Sequence, residues 1–156
     1  MPTNYGKQWE VKVKEDLSIL EGVSVDRIYD SVSGYKSVSN ISDFISYLYP
    51  NIFYLEVKSI RGNTFPLKNL TQYEKLKTKV GIPGVRAGVI LWYIDHSKVF
   101  YVPISTITKL KEDDKKSVNV KMIDEGEYNL KLVPSITKRV FPTCDYRILT
   151  TLKDGE

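Results

Sequence analysis

The chain is poor in the residues that build redox and transition-metal sites, with one cysteine, Cys144, and one histidine, His96. A single cysteine excludes an intramolecular disulfide and a Cys-rich zinc site, and it fits a reducing compartment. A single histidine leaves little room for a His-ligated metal centre or a Ser-His-Asp triad. His96 sits in "IDHSK" between two apolar runs and reads as a turn residue. No uninterrupted apolar stretch approaches the roughly 20 residues that span a bilayer, so no membrane partner is expected. The opening "MPTNYGKQWE" lacks the apolar core of a signal peptide, and a cytoplasmic protein is expected.

What the chain does contain is ordinary for a globular protein: 42% hydrophobic and 27% charged residues over a length of 156. That length suits one domain spanning 1–156 with a single sizeable core. Lysine and arginine outnumber Asp and Glu by 23 to 19, a net charge of +4 that is compatible with a polyanionic partner without demanding one. Tyrosine is abundant, at eleven residues, and a tyrosine can stack on a base as well as fill a core.

Periodicity predicts an amphipathic helix from about Lys7 to Leu20, through Trp9, Val13, Leu17 and Leu20. A short strand centred on Val25 and Ile28 follows, then "SGYKSVSN" with loop composition. Two apolar runs broken by Tyr49-Pro50-Asn51 predict a hairpin. Asn69 is expected to cap a helix "LTQYEKLKTKV", with Gln72 at capping-box spacing. "VILWYI" and "KVFYVPI" read as a second hairpin, in the core or on a subunit surface, with core the commoner place for such runs. A helix is expected from about Ser105, and "SVNVKMI" with "YNLKLV" as a third hairpin around "DEGE". "KRVFPTCDYRIL" forms a last basic segment. The fold class is therefore α/β or α+β, with a mixed central sheet flanked by helices.

The stretch "FYLEVKSI" carries the chemistry. Residues two apart in a strand share a face, so Glu56 and Lys58 point together while Leu55 and Val57 point into the core. Across the Pro50 turn, Asp43 begins the partner strand and its carboxylate is expected beside Glu56. Two adjoining carboxylates repel unless protonated or bridged by a cation. Mg²⁺ is an economical bridge because it takes oxygen ligands and keeps waters, and the Val57 carbonyl offers a further acceptor. Lys58 beside such an ion can orient a water or stabilise charge on a phosphate, the requirements of phosphodiester hydrolysis. The plainer alternative is a surface ion pair between strand neighbours.

Asp43 followed by Glu56-Val57-Lys58 resembles the bipartite motif of the PD-(D/E)xK nucleases, with Ser42 where the superfamily name has proline. Within that superfamily the chain looks most like RecU-type Holliday-junction resolvases and their phage relatives. The resemblance runs in order through "GKQWE" (Gly6 to Glu10), "SDF", "EVK" and "FPLKN" (Phe65 to Asn69) with Gln72 beyond, roughly the first half of the chain. It implies a restriction-endonuclease-like core and a Mg²⁺-dependent endonuclease, with Mn²⁺ as a substitute. Asp43, Glu56, Val57 and Glu10 would hold the metal, Lys58 would be the catalytic lysine, and Gln72, or else Glu74, would support the site. The substrate would be a four-way DNA junction cut symmetrically by a homodimer, in a bacterial or phage-infected host cytosol. Tyr35, Lys36, Arg61, Lys68 and Lys75 are candidate DNA contacts, with Tyr35 a candidate wedge in a reduced stalk. The alternatives are a duplex- or end-directed nuclease of the same superfamily and a catalytically silent DNA-binding module.

Overall fold

The computed structural model describes residues 4–29, 31–33, 36–38, 40–153 and 155–156, with 31–33 and 36–38 by backbone alone. The first helix, α1 (Tyr5–Ser18), begins and ends two residues before the periodicity predicts. Asn4 explains the early start, since its side chain accepts from the Lys7 amide at 3.1 Å and satisfies an otherwise orphaned donor. Trp9, Val13 and Leu17 form its buried stripe. Asp16 is buried on the same helix, tolerated because Lys12 pairs with it at 2.8 Å and the Cys144 amide donates to it at 2.9 Å.

The strand expected around Val25 is β1 (Ser24–Arg27). "SGYKSVSN" departs from its expected loop: β2 (Ser31–Ser33) and β3 (Lys36–Val38) pair antiparallel as a small hairpin. Alternating Ser and Val in these tripeptides satisfies strand geometry as well as loop composition. The hairpin over Tyr49-Pro50 forms as expected from β4 (Phe44–Leu48) and β5 (Asn51–Ile60), with Phe44 opposite Leu55. β5 then runs parallel to β7 (Val85–Tyr93), which pairs antiparallel with β8 (Lys98–Pro103) across a short turn containing His96. β10 (Lys131–Val133) adds to β8, completing a six-stranded sheet of order β1-β4-β5-β7-β8-β10 in which only β5 and β7 are parallel.

Three expectations fail after β5. The long helix after "FPLKN" is reduced to a 3-10 turn at Leu67–Asn69 and a five-residue α2 (Tyr73–Lys77). Asn69 caps nothing; Leu67, Leu70 and Leu76 are each buried, and packing all three breaks a continuous helix into two turns. The third hairpin does not form either. "SVN" becomes β9 (Ser117–Asn119), which pairs with β6 (Thr64–Pro66), and "MIDE" becomes α4 (Met122–Glu125), ended by Gly126 at φ +70. Burial decides this outcome: Val118 seats in the same apolar cluster as Phe65, a contact no local hairpin offers. The helix expected near Ser105 does form, as α3 (Ile104–Glu112), and β11 (Ser135–Thr137), just ahead of the basic last segment, pairs with β12 (Pro142–Cys144) inside it.

Apolar cores cover both sheet faces. One packs Trp9, Val13 and Leu17 of α1 onto Leu55, Val57 and Trp92. The other packs α2 and α3 onto Val89, Leu91 and Val102. "VILWYI" is thus core on both sides, as expected of a strand in the middle of a sheet. Gly88 is required in β7, because a Cβ there would stand 2.3 Å from Cε2 of the buried Tyr101 ring.

Candidate active site

The sheet register brings the expected acids together. Glu56 lies in the row with Val89 and Val102, on the face packed by α2 and α3, which accounts for its exposure of only 3%. Asp43 immediately precedes β4, so extending the Phe44–Leu55 register sets it beside Glu56. One Asp43 carboxylate oxygen accepts from the Val57 amide at 2.8 Å, which fixes the side chain against β5. Lys58 stands one pleat further along, its ammonium 3.8 Å from Glu56 Oε1.

The electrostatics are those of a carboxylate pair held in a poor solvent. Burial, then the Asp43 charge, pushes the Glu56 carboxyl up to about 9, against the opposing pull of Lys58. Glu56 Oε2 is buried with no hydrogen-bond partner. Glu10, half-buried on α1, is raised as well, by burial and by Asp43, against the lowering effect of Arg27. An orphaned carboxylate oxygen between two further acids has the donor chemistry of a hard divalent cation site. Among the described residues no three His, Cys, Asp or Glu side chains stand close enough to enclose an ion by themselves. Asp43, Glu56 and the Val57 carbonyl would therefore form an open set completed by waters, with Glu10 behind Arg27.

Arg27, which the sequence reading missed, is central to this arrangement. Its guanidinium reaches Glu10 Oε2 at 2.9 Å and Asp43 Oδ1 at 3.2 Å, and donates to the carbonyls of Ile28 and Asp43 at 2.9 Å each. It also lies over the rings of Tyr29 and Phe44. The available signal was that Arg27 is the only arginine before Arg61, set in a strand beside the acids' own hairpin.

The remaining expected residues are scattered. Gln72 accepts from the hydroxyl of its neighbour Thr71 at 2.9 Å, while Glu74 is exposed in the first turn of α2. Arg61 is tied to Asp95 at 2.9 Å and lies over the Tyr5 ring. Lys68 and Lys75 are exposed on the α2 side of the molecule. Tyr35 lies outside the described residues, as does the side chain of Lys36.

This acid, acid, lysine hairpin in a mixed sheet is the arrangement of a nuclease of the PD-(D/E)xK type. The chain belongs to the family described as Recombination protein U, whose model matches residues 12–140. That membership puts it among the Holliday-junction resolvases. Glu10 lies just outside the matched span, whereas Arg27, Asp43, Glu56 and Lys58 lie within it. No curated protein sequence matches the chain significantly. Among solved structures it is similar in fold to Hjc of Archaeoglobus fulgidus, a Holliday junction resolvase from an archaeal hyperthermophile. The TM-score is 0.54 at 17% identity, over 73% of this chain and 88% of that one.

Proposed function

We propose that this protein resolves four-way DNA junctions by paired symmetric nicks, acting as a homodimer that uses Mg²⁺, with Mn²⁺ able to replace it. One observation carries the reading: Glu56, buried and with an unpartnered oxygen, is set beside Asp43 on the hairpin that also presents Lys58. A bound divalent ion would supply a water of lowered pKa and neutralise charge at the scissile phosphate. The chain's own contribution is positional. Val57 holds Asp43 through its amide, the apolar row holds Glu56, and Lys58 offers a cation to the phosphate as its negative charge builds. Glu10 tunes the site through its ion pair with Arg27. Exposed Lys68 and Lys75 serve as phosphate contacts, with Lys36 a further one and Tyr35 a residue that stacks at the junction. Arg61, exposed although paired with Asp95, serves as a further phosphate contact, and Gln72 supports the site from the start of α2. A cytosolic location in a bacterium or phage-infected cell follows from this role, and no described helix is long and apolar enough to cross a membrane.

The test incubates the protein and its Asp43→Asn variant with Mg²⁺ and labelled junction, linear duplex or single strand, and maps the cuts. Symmetric nicks confined to the junction and lost in the variant are expected. Degradation of linear duplex would turn the reading to a general nuclease, and absence of metal-dependent cutting would leave a silent DNA-binding module.

A further inference from the structure

Glu56 shares its face of β5 with the side chains two residues away on either side, Lys58 and Tyr54. Tyr54 is half-buried, with Ile45 of β4 and Ala87 of β7 beside it in the sheet. Its ring carries a cation: the Lys79 ammonium lies 4.9 Å from the ring centroid. Lys79 comes from the turn that ends α2, where successive amides are tied down. The Thr78 amide donates to the Lys75 carbonyl, Lys79 to Leu76 and Val80 to Lys77. The chain thereby sets a lysine over the same sheet face as the acids.

Two features separate this contact from the other lysine–tyrosine pairs. Lys77 and Lys111 lie over Tyr73, which belongs to α2, and Lys109 lies over Tyr128, in the loop after α4. Among the described rings beneath a lysine, only Tyr54 stands on a strand of the site. Lys79 is also half-buried without a carboxylate partner among the described residues, whereas half-buried Lys58 meets Glu56 and Lys131 meets Glu156. An ammonium partly withdrawn from water without a counter-ion carries a desolvation cost that a ring offsets only in part. A phosphate supplies the missing anion. Spacing agrees, since Tyr54 stands about 6.6 Å along β5 from Glu56 at roughly 3.3 Å per residue, close to two base steps of roughly 3.4 Å. A strand laid along β5 with its scissile phosphate at the acids has Lys58 at one side and Lys79 at the other.

We propose that Lys79, held by the Tyr54 ring, grips a backbone phosphate of the substrate strand about two nucleotides from the scissile bond, on the side away from Lys58. Tyr54 is a positioning residue, because it acts through the ammonium it holds. The inference rests on the nuclease reading above and deepens it, naming a subsite that fixes how the strand lies across the acids.

Junction binding by the full chain tests it, measured by fluorescence anisotropy over a salt series without divalent metal, so that nothing is cut. Lys79→Gln is expected to reduce the slope of log affinity against log salt by about one, the signature of one lost phosphate contact. Tyr54→Leu should do the same, Tyr54→Phe should keep the wild-type slope, and the Tyr54→Leu, Lys79→Gln double variant should lose no more than either single one. Lys109→Gln removes an equal charge from over Tyr128 and should leave the slope unchanged. Junctions with one neutral methylphosphonate at successive positions around the cut locate the contact. The wild type should lose affinity at a position about two nucleotides out to which Lys79→Gln is indifferent. Circular dichroism checks folding, and Lys79→Gln, at a turn, carries the test if Tyr54→Leu does not fold. An unchanged slope in Lys79→Gln, an equal fall in Lys109→Gln, or methylphosphonates that weaken both proteins alike at every position would overturn the proposal. Cleavage in Mg²⁺ separates the two readings. A wild type that cuts junctions while Lys79→Gln keeps the full slope loses the subsite alone. A wild type that binds with a Lys79-dependent slope but cuts nothing loses the nuclease reading alone.

Discussion

Asp43 accepts the Val57 amide hydrogen at 2.8 Å, so the residue that opens β4 is fastened to the backbone between the two chemical residues of β5. One carboxylate oxygen thereby positions the hairpin, and the other faces Arg27. An asparagine keeps an acceptor for that amide and loses the charge. Asp43→Asn is expected to retain the fold and junction affinity while metal-dependent cleavage falls by about a thousandfold or more, the scale of losing a transition-state charge stabiliser. Gel-shift and single-turnover cleavage measured side by side check this.

The Glu56 carboxyl gives a pH dependence whose sign is fixed. Its pKa is raised in the fold to about 9, whereas the unfolded chain titrates near 4.3. Above pH 4.3 the unfolded chain loses a proton that the folded protein retains, so this group lowers stability progressively as pH rises, until the loss levels off near 9. Glu56→Gln mimics the protonated form. It is expected to raise the metal-free melting temperature at pH 8 by several degrees, about 2–4 °C for each kcal/mol at this size. At pH 4.5 the difference should vanish. Differential scanning calorimetry at the two pH values measures it, and an equal shift at both would refute the linkage.

The same carboxyl links metal affinity to pH. An ion bound through Glu56 displaces a proton at neutral pH, so Mg²⁺ affinity should rise by up to about tenfold per pH unit between 6 and 8. Isothermal titration in two buffers of different ionisation heat should report the released proton, and a pH-independent affinity would exclude Glu56 as a ligand.

Arg27 is the cation that balances Glu10 and Asp43 in the metal-free protein. Arg27→Met leaves those two half-buried acids uncompensated and should cost about 1–3 kcal/mol in urea unfolding without metal. Added Mg²⁺ should recover more stability in this variant than in the wild type. A variant as stable as the parent would mean the guanidinium contributes no net charge compensation.

Gly88→Ala tests the core beneath the site. The added methyl would press on a buried tyrosine ring with no solvent side to move into, so a loss of about 2–3 kcal/mol is expected. Tyr101→Leu should recover part of that loss in the double variant, and additive effects would show that the two side chains do not meet.

The leading helix and the site-bearing hairpin were legible in the sequence because their signals are local. Asn4 and the Trp9, Val13 and Leu17 stripe define α1, and the Pro50 turn defines the hairpin that carries the site. Asp43, Glu56 and Lys58 were legible for the same reason: a strand's two-residue period fixes which face Glu56 shares with Lys58. Arg27 was not, because its role is set by β1 pairing with β4, a long-range choice that a short strand does not announce. The β6–β9 pairing was hidden in the same way, since Phe65 and Val118 find each other only through the shared core. Asn69 and Gln72 read as a helix cap and its capping-box partner from their spacing alone, and the break between Asn69 and Tyr73 removes that pairing.

The hairpin of β4 and β5 also bears on the order of assembly. It brings Asp43, Glu56 and Lys58 together through a tight local turn, whereas the parallel pairing of β5 with β7 must wait for the intervening chain to close. The mutually repelling acids are therefore gathered while solvent still screens them, and the cost of their closeness falls due only when the later strands and helices shut water out. The last stage of folding is thus the stage most sensitive to pH and to divalent ions.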